Sequence, residues 1–227
     1  MNRRLLILFF CFTAGLFARA QKLEFVLTGG SGSFAMTDIK KLNSDLQETV
    51  PFPTKLTSSF PMTFQFGGYF AARITDHFTL GLIYAYNSTG SRVASGDYSG
   101  TYYFDNILTG HSFGLLSGYR VYQHKSLRVD LQANLGVVIT NMEMKEDLHV
   151  ADTSISSSYQ YSSTGFYAEP RCEASYSWKY LKAGLYLGYY LNAAGKLQTD
   201  EGQKTTTATS WSGIRFGILI GIHQAGY

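Results

Sequence analysis

Leu127 to Thr140 alternates with a period of two. Leu127, Val129, Leu131, Ala133, Leu135, Val137 and Ile139 share one parity, while Arg128, Asp130, Gln132, Asn134, Gly136, Val138 and Thr140 share the other. Successive side chains of an extended chain point to opposite faces, so this stretch predicts a strand with one apolar wall and one mostly polar wall. Leu181–Asn192 repeats the pattern: Leu181, Ala183, Leu185, Leu187, Tyr189 and Leu191 oppose Lys182, Gly184, Tyr186, Gly188, Tyr190 and Asn192. Ile214–Ile222 repeats it again. Weaker versions run through Leu23–Thr28, Met62–Arg73, Phe78–Asn87, Ile107–Tyr122 and Phe166–Trp178, which makes eight strands.

The connections alternate in length. Short ones lie at Thr75–His77, Gln123–Ser126 and Lys179–Tyr180; long ones run over Gly29–Phe60, Ser88–Asn106, Asn141–Thr164 and Ala193–Ser210. An up-and-down meander then carries all its long loops at one end and both termini at the other. Bacterial outer-membrane barrels have this asymmetry, with short periplasmic turns and long outer loops. Alternation alone fits a soluble cup equally well, with the walls exchanged. The polar wall discriminates. A soluble outer surface is dense in Lys and Glu, whereas this wall is mostly Gly, Ser, Thr, Asn, Gln and Tyr with isolated ions of both signs. The apolar wall ends in Tyr84, Tyr86, Tyr119, Tyr176, Trp178 and Tyr189, as expected of rings at a membrane–water boundary. The expected fold is therefore all-β: an eight-stranded antiparallel up-and-down transmembrane barrel with four long extracellular loops.

Composition sharpens the picture. Only 15% of residues are charged, while Gly, Tyr and Phe are abundant at 23, 17 and 16. Residues 1–20 read as a secretory signal: basic Arg3 and Arg4, an apolar run Leu5–Phe17, and Ala18-Arg19-Ala20 with cleavage between Ala20 and Gln21. Residues 21–227 are then one barrel domain. Without Arg3, Arg4 and Arg19 the 19 basic residues fall to 16, equal to the 16 acidic ones. A neutral mature chain has no electrostatic motive for nucleic acid. Cys11 leaves with the signal, and Cys172 stays without an internal partner. No later stretch reaches the roughly 18 apolar residues of a membrane helix.

The chain resembles the small outer-membrane β-barrel proteins of Bacteroidota. The likeness runs through the early loop Met36–Leu46, through Tyr167-Ala168-Glu169-Pro170 opening a strand, and through Trp211-Ser212-Gly213-Ile214-Arg215-Phe216-Gly217 in the last strand. Tyr227 ends the chain as terminal aromatics do in such proteins, although Gln224-Ala225-Gly226 interrupts the alternation before it. The resemblance implies location in the outer membrane of a Gram-negative cell, contact with membrane lipid, and insertion by the barrel-assembly machinery. It brings no catalytic signature and no cofactor.

Candidate chemistry is thin. Gly110-His111-Ser112-Phe113-Gly114 matches the nucleophile elbow G-x-S-x-G, with Asp200 and His223 following in hydrolase order. An elbow needs a helix after the turn, and Leu115–Tyr122 reads as strand. Some outer-membrane barrels resemble this one and process lipid with a wall His and Ser, which keeps a hydrolase using His111 and Ser112 as an alternative. Adjacent strand residues face opposite ways, so a base at His111 does not readily activate Ser112. Gly30-Ser31-Gly32-Ser33-Phe34-Ala35 resembles a dinucleotide fingerprint, but the preceding strand carries Lys22 and Glu24 where a buried parallel strand is apolar. His77, His111, His124, His149 and His223 have no metal-ligand spacing. Asn87-Ser88-Thr89 is a formal sequon that reads as a loop start.

The inward parity collects Glu24, Arg73, Arg120, Arg128, Asp130, Glu169, Arg171, Glu173, Lys182 and Arg215. Buried charges must be paired. Salt-bridged ladders across the lumen are expected, with the strands at 127–140, 166–178 and 214–222 contributing most; a narrow ion path is the functional alternative. In the first long connection Met36, Ile39, Leu42 and Leu46 recur at helical spacing against Lys40, Lys41, Asp45 and Glu48, which predicts a short amphipathic helix over the barrel mouth. The function expected is structural or surface-recognition display by the loops, without catalysis and with the loop ligand unspecified.

Overall fold

A computed structural model gives the structure of residues 22–49, 54–98, 100–150, 153–199 and 202–224. The expected leader with its expected cleavage point at Ala20–Gln21, Asp200 and Tyr227 lie outside the described residues. Eleven strands and one helix follow in order. They are β1 (Lys22–Gly32), α1 (Thr37–Thr49), β2 (Lys55–Ser59), β3 (Thr63–Arg73), β4 (Phe78–Asp97), β5 (Gly100–His124), β6 (Leu127–Val150), β7 (Thr153–Trp178), β8 (Leu181–Ala193), β9 (Lys196–Thr199), β10 (Lys204–Ala208) and β11 (Gly213–His223).

Eight of these strands pair antiparallel in a ring. The ladder runs β1–β3–β4–β5–β6–β7–β8–β11 and returns through the pairing of β11 with β1, where Phe25 faces Ile222 and Leu27 faces Ile220. These eight occupy the places that alternation predicts. The other three are short additions: β2 pairs with Ser91–Ala94 of β4, β9 with Tyr161 and Ser162 of β7, and β10 with β9. Hairpins at Lys125-Ser126 and Lys179-Tyr180 close one end. Lys125 and Lys179 take left-handed backbone there (φ 52° and 50°), at a cost of about 1–2 kcal/mol each.

The other end differs from expectation. Ser88–Asn106 and Asn141–Thr164 are not loops: most of each is strand, with Asp97 opposite Gly100 and Val150 opposite Thr153. The four strands β4–β7 thus rise as a wall above the ring while β1, β3, β8 and β11 stop near its rim. The wall's inner face hides Val93, Tyr102 and Phe104, with Leu46 of α1, Met144 and Leu148 packed against them. The first connection does contain a helix. α1 starts just after Met36, whose carbonyl accepts from the Lys40 amide at 2.9 Å. Asp38 anchors its first turn by accepting from the Ala208 amide at 3.1 Å.

The sidedness of the ring is inverted relative to a water-soluble protein. Outward rows such as Leu181, Leu185, Leu187, Tyr189, Leu191, Ile214, Phe216, Ile218, Ile220 and Ile222 are exposed. Inward rows carry Glu24, Arg73, Arg120, Arg128, Glu169, Arg171, Glu173, Lys182 and Arg215, all buried.

Candidate functional site

The interior falls into three levels. At the hairpin end lies an ionic layer built around Glu24 of β1. Its carboxylate receives Arg73 of β3 at 2.5 Å, Lys182 of β8 at 3.3 Å and Arg128 of β6 at 3.5 Å. Lys182 also pairs closely with Glu173 of β7 and donates to Tyr69 Oη at 3.0 Å. The Tyr69 hydroxyl donates to Glu173, and Gln132 Nε2 donates to the same carboxylate at 3.0 Å. Arg120 binds Asp130 at 3.2 Å and the Gln123 amide oxygen at 2.9 Å. Side chains from six strands thus meet at this end of the lumen, which period-two registration of the strands achieves.

Higher up, Arg171 and Glu169 of β7 pair at 2.9 Å, two residues apart on the same inward row. Arg171 lies 4.4 Å over the Tyr186 ring. Two of the three strands expected to contribute most do so, β6 with Arg128 and Asp130 and β7 with Glu169, Arg171 and Glu173; the third, β11, does not. β1 and β8 supply the central Glu24 and Lys182, while β11 supplies only Arg215, which meets no carboxylate. The Arg215 guanidinium donates to the carbonyls of Ser33 at 2.9 Å and Trp211 at 2.8 Å. It lies against Phe34 and Tyr190 at 4.5 and 5.1 Å, an arrangement that lets a cation sit among rings without an anion.

Above Arg215 the lumen is apolar and full. Phe34, Met36, Ile39, Phe60, Leu108, Val138, Met142, Tyr167, Tyr190, Leu197 and Trp211 form one buried cluster. Trp211 is wholly buried, donates Nε1–H to Thr140 at 2.8 Å and meets Phe34 edge-on at 5.3 Å. Met36 and Phe60 hold left-handed backbone (φ 45° each) while buried in this plug. The apolar cluster offsets that strain. Over the plug, α1 turns Asn43 inward. Asn43 donates to Ser91 Oγ at 2.9 Å and accepts from Asn106 at 2.7 Å. The helical spacing of Met36, Ile39, Leu42 and Leu46 gave no sign of this polar contact; Asn43 lies beside Leu42, and Leu42 is only half-buried.

The elbow-like segment resolves into packing. His111 and Ser112 lie on opposite faces of β5. Ser112 is buried in the lumen against Tyr190 Oη at 2.8 Å, and His111 sits on the outer wall against Tyr84 Oη at 3.0 Å. A β-carbon at Gly110 would lie 2.9 Å from the Trp211 ring, and one at Gly114 would lie 2.4 Å from the Tyr167 hydroxyl. Both glycines make room for the plug. His223 lies at the hairpin end, opposite Glu24 in the β1–β11 ladder. Gly30–Gly32 belongs to that same antiparallel ladder, not to a strand–turn–helix of a parallel sheet. Among the described residues no three His, Cys, Asp or Glu side chains converge as metal ligands.

Outside, Tyr84, Tyr86 and Tyr189 lie toward the α1 end, and Tyr119, Tyr176 and Trp178 toward the hairpins. The wall above the ring carries its own pairs. Arg92 binds Asp105 through two contacts of 2.6 Å, and Lys145 meets Glu143 at 3.2 Å. Tyr102 donates to Glu146 at 3.1 Å; burial, helped by that carboxylate, pushes its phenol up to about 12.

No family model matches the chain, and no curated protein matches it. Among solved structures, the attachment invasion locus protein of Yersinia pestis is similar over 89% of this chain and 97% of its own, at 10% identity and a TM-score of 0.40. The outer membrane protein OprG of Pseudomonas aeruginosa is similar over 89% and 96%, at 15% identity and 0.44. The outer membrane protease OmpT of Escherichia coli is similar over 91% and 97%, at 10% identity and 0.31.

Proposed function

We propose that the chain is an integral outer-membrane barrel of the Bacteroidota type. Its eight ring strands cross the bilayer, its hairpins face the periplasm, and α1 and the β4–β7 wall stand at the cell surface. Its role is non-enzymatic: structural, or recognition through the surface wall and loops. The inverted sidedness of the ring carries this reading. Ten large outward side chains on β8 and β11 alone are exposed. Leaving them half in water forgoes on the order of 10 kcal/mol of burial, as much as the whole stability of an ordinary domain. Lipid removes that cost. From Leu181 to Leu191, at about 3.3 Å per residue and a tilt near 40°, the apolar band is about 25 Å tall, the height of an outer-membrane band. The closed ring also leaves no unpaired strand edge within that band, as hydrocarbon requires.

The plug and the ionic layer support a sealed lumen, and the opposite facing of His111 and Ser112 supports a barrel without hydrolase chemistry. Insertion by the barrel-assembly machinery follows from the same reading. Heat-modifiable migration on a detergent gel tests the barrel. The folded protein runs faster unboiled than boiled and fractionates with outer membranes; identical mobilities overturn the reading. Planar-bilayer recording tests the seal, since steady unit conductance refutes it. Stoichiometric fluorophosphonate labelling of Ser112 replaces the non-enzymatic role with a hydrolase.

A further inference from the structure

The outer wall has a notch with a polar head. On the outward row of β3, Phe64, Phe66 and Phe70 project, but the position between Phe66 and Phe70 is Gly68. The missing side chain opens a groove of about 470 Å³, lined by Phe25, Leu27, Phe66, Phe70, Leu82 and Phe113 and topped by Tyr84. The Tyr84 hydroxyl lies 3.0 Å from His111 Nδ1. The His111 ring meets Tyr86 edge-on at 5.2 Å, and Tyr86 packs on Phe66 at 4.9 Å. One row nearer the α1 end, Ser88 faces Thr109 across the ladder, and the wall turns polar.

An ionisable ring on an otherwise lipid-facing wall is costly and marks a function by default. We propose that this is a binding site for one phosphate-bearing lipid of the leaflet on the α1 side. An acyl chain fills the groove beside Gly68. With Tyr84 donating to Nδ1, the imidazole carries its proton on Nε2 and donates it to a phosphate oxygen at the height where Ser88 and Thr109 begin the polar rim. His111 is thereby accounted for without Ser112. The proposal rests on the membrane reading of the ring.

The test uses the purified chain in dodecyl maltoside, titrated separately with dioleoyl phosphatidic acid and dioleoylglycerol, which share their acyl chains and differ in the phosphate. Native mass spectrometry counts bound lipid, and the unboiled gel shift reports folding for every variant. Wild type retains one phosphatidic acid about tenfold more tightly than dioleoylglycerol, as expected of a charge-assisted hydrogen bond. His111→Phe reduces that preference to under about threefold while dioleoylglycerol binding persists. Leu82→Trp, which fills the groove from an exposed position, weakens both lipids by about tenfold or more. Equal binding of the two lipids by wild type, or an unchanged preference in a folded His111→Phe variant, overturns the site and leaves the barrel standing. A wild type without the gel shift overturns the membrane reading and the site with it.

Discussion

Lys182→Met tests the ionic layer most sharply. The Lys182 ammonium is 2% exposed and sits between two carboxylates, in close contact with Glu173 and 3.3 Å from Glu24. At 3.3 Å and an effective dielectric near 20, the attraction to one carboxylate is about 5 kcal/mol. Its removal is not felt equally by the two acids. Glu24 keeps Arg73 and Arg128, whereas Glu173, wholly buried, keeps only the neutral donors Tyr69 and Gln132. One buried carboxylate is left without a cation, and that costs about 3–5 kcal/mol. Adding Glu173→Gln removes the stranded charge while sparing both neutral hydrogen bonds. The double variant should therefore recover about 2 kcal/mol or more of the loss. The assay is reversible urea unfolding in lipid vesicles, read by tryptophan fluorescence and gel mobility at a fixed lipid ratio. A single variant within about 1 kcal/mol of wild type, or a double variant no more stable than the single, refutes the layer as described.

Three further outcomes follow from the α1 side of the molecule. Asn43→Ala leaves the buried Asn106 amide with only its longer contact to Ser91 Oγ at 3.3 Å and weakens docking of α1 by about 1–3 kcal/mol, so limited trypsin cuts at Lys40 and Lys41 about tenfold faster or more; an unchanged rate contradicts the contact. Trp211→Ala empties the centre of the plug, costs about 3–5 kcal/mol in urea, and gives planar-bilayer conductance where wild type is silent. The Tyr102 phenol, raised to about 12 in the folded chain, ionises earlier when unfolded, near pH 10. Its contribution to stability is therefore complete below pH about 10 and is lost as pH rises through about 12. Tyrosinate absorbance of wild type minus Tyr102→Phe should show that late step, and Glu146→Gln should bring it to lower pH.

What the sequence reveals divides at the edge of the apolar band. Inside the apolar band each strand must present aliphatic side chains to one side and small, polar or ionic ones to the other. Leu127–Thr140 and Leu181–Asn192 therefore announce their strands, and parity alone puts Glu169, Arg171 and Glu173 on one face. Above the band that demand disappears. Apart from Ile155, Thr153–Ser163 is Ser, Thr, Tyr and Gln, so Asn141–Thr164 reads as loop although backbone pairing between β6 and β7 holds it as strand. The partners within the lumen are also hidden, because a ring closes between residues far apart in sequence. Nothing local in Arg215 says that it meets carbonyls and rings in place of an acid. Nothing local in Gly110 says that it makes room for Trp211.

The central claim is the sidedness of the ring, and collision accessibility along β8 measures it directly. Single cysteines at 184, 185, 186 and 187, in a Cys172→Ala background, carry nitroxide labels in reconstituted vesicles. Labels at 185 and 187 should collide strongly with oxygen and weakly with a water-soluble nickel chelate, while those at 184 and 186 should be shielded from oxygen, giving a period of two in phase with the aliphatic row. High nickel-chelate accessibility at 185 and 187, or a profile without that period, contradicts the account.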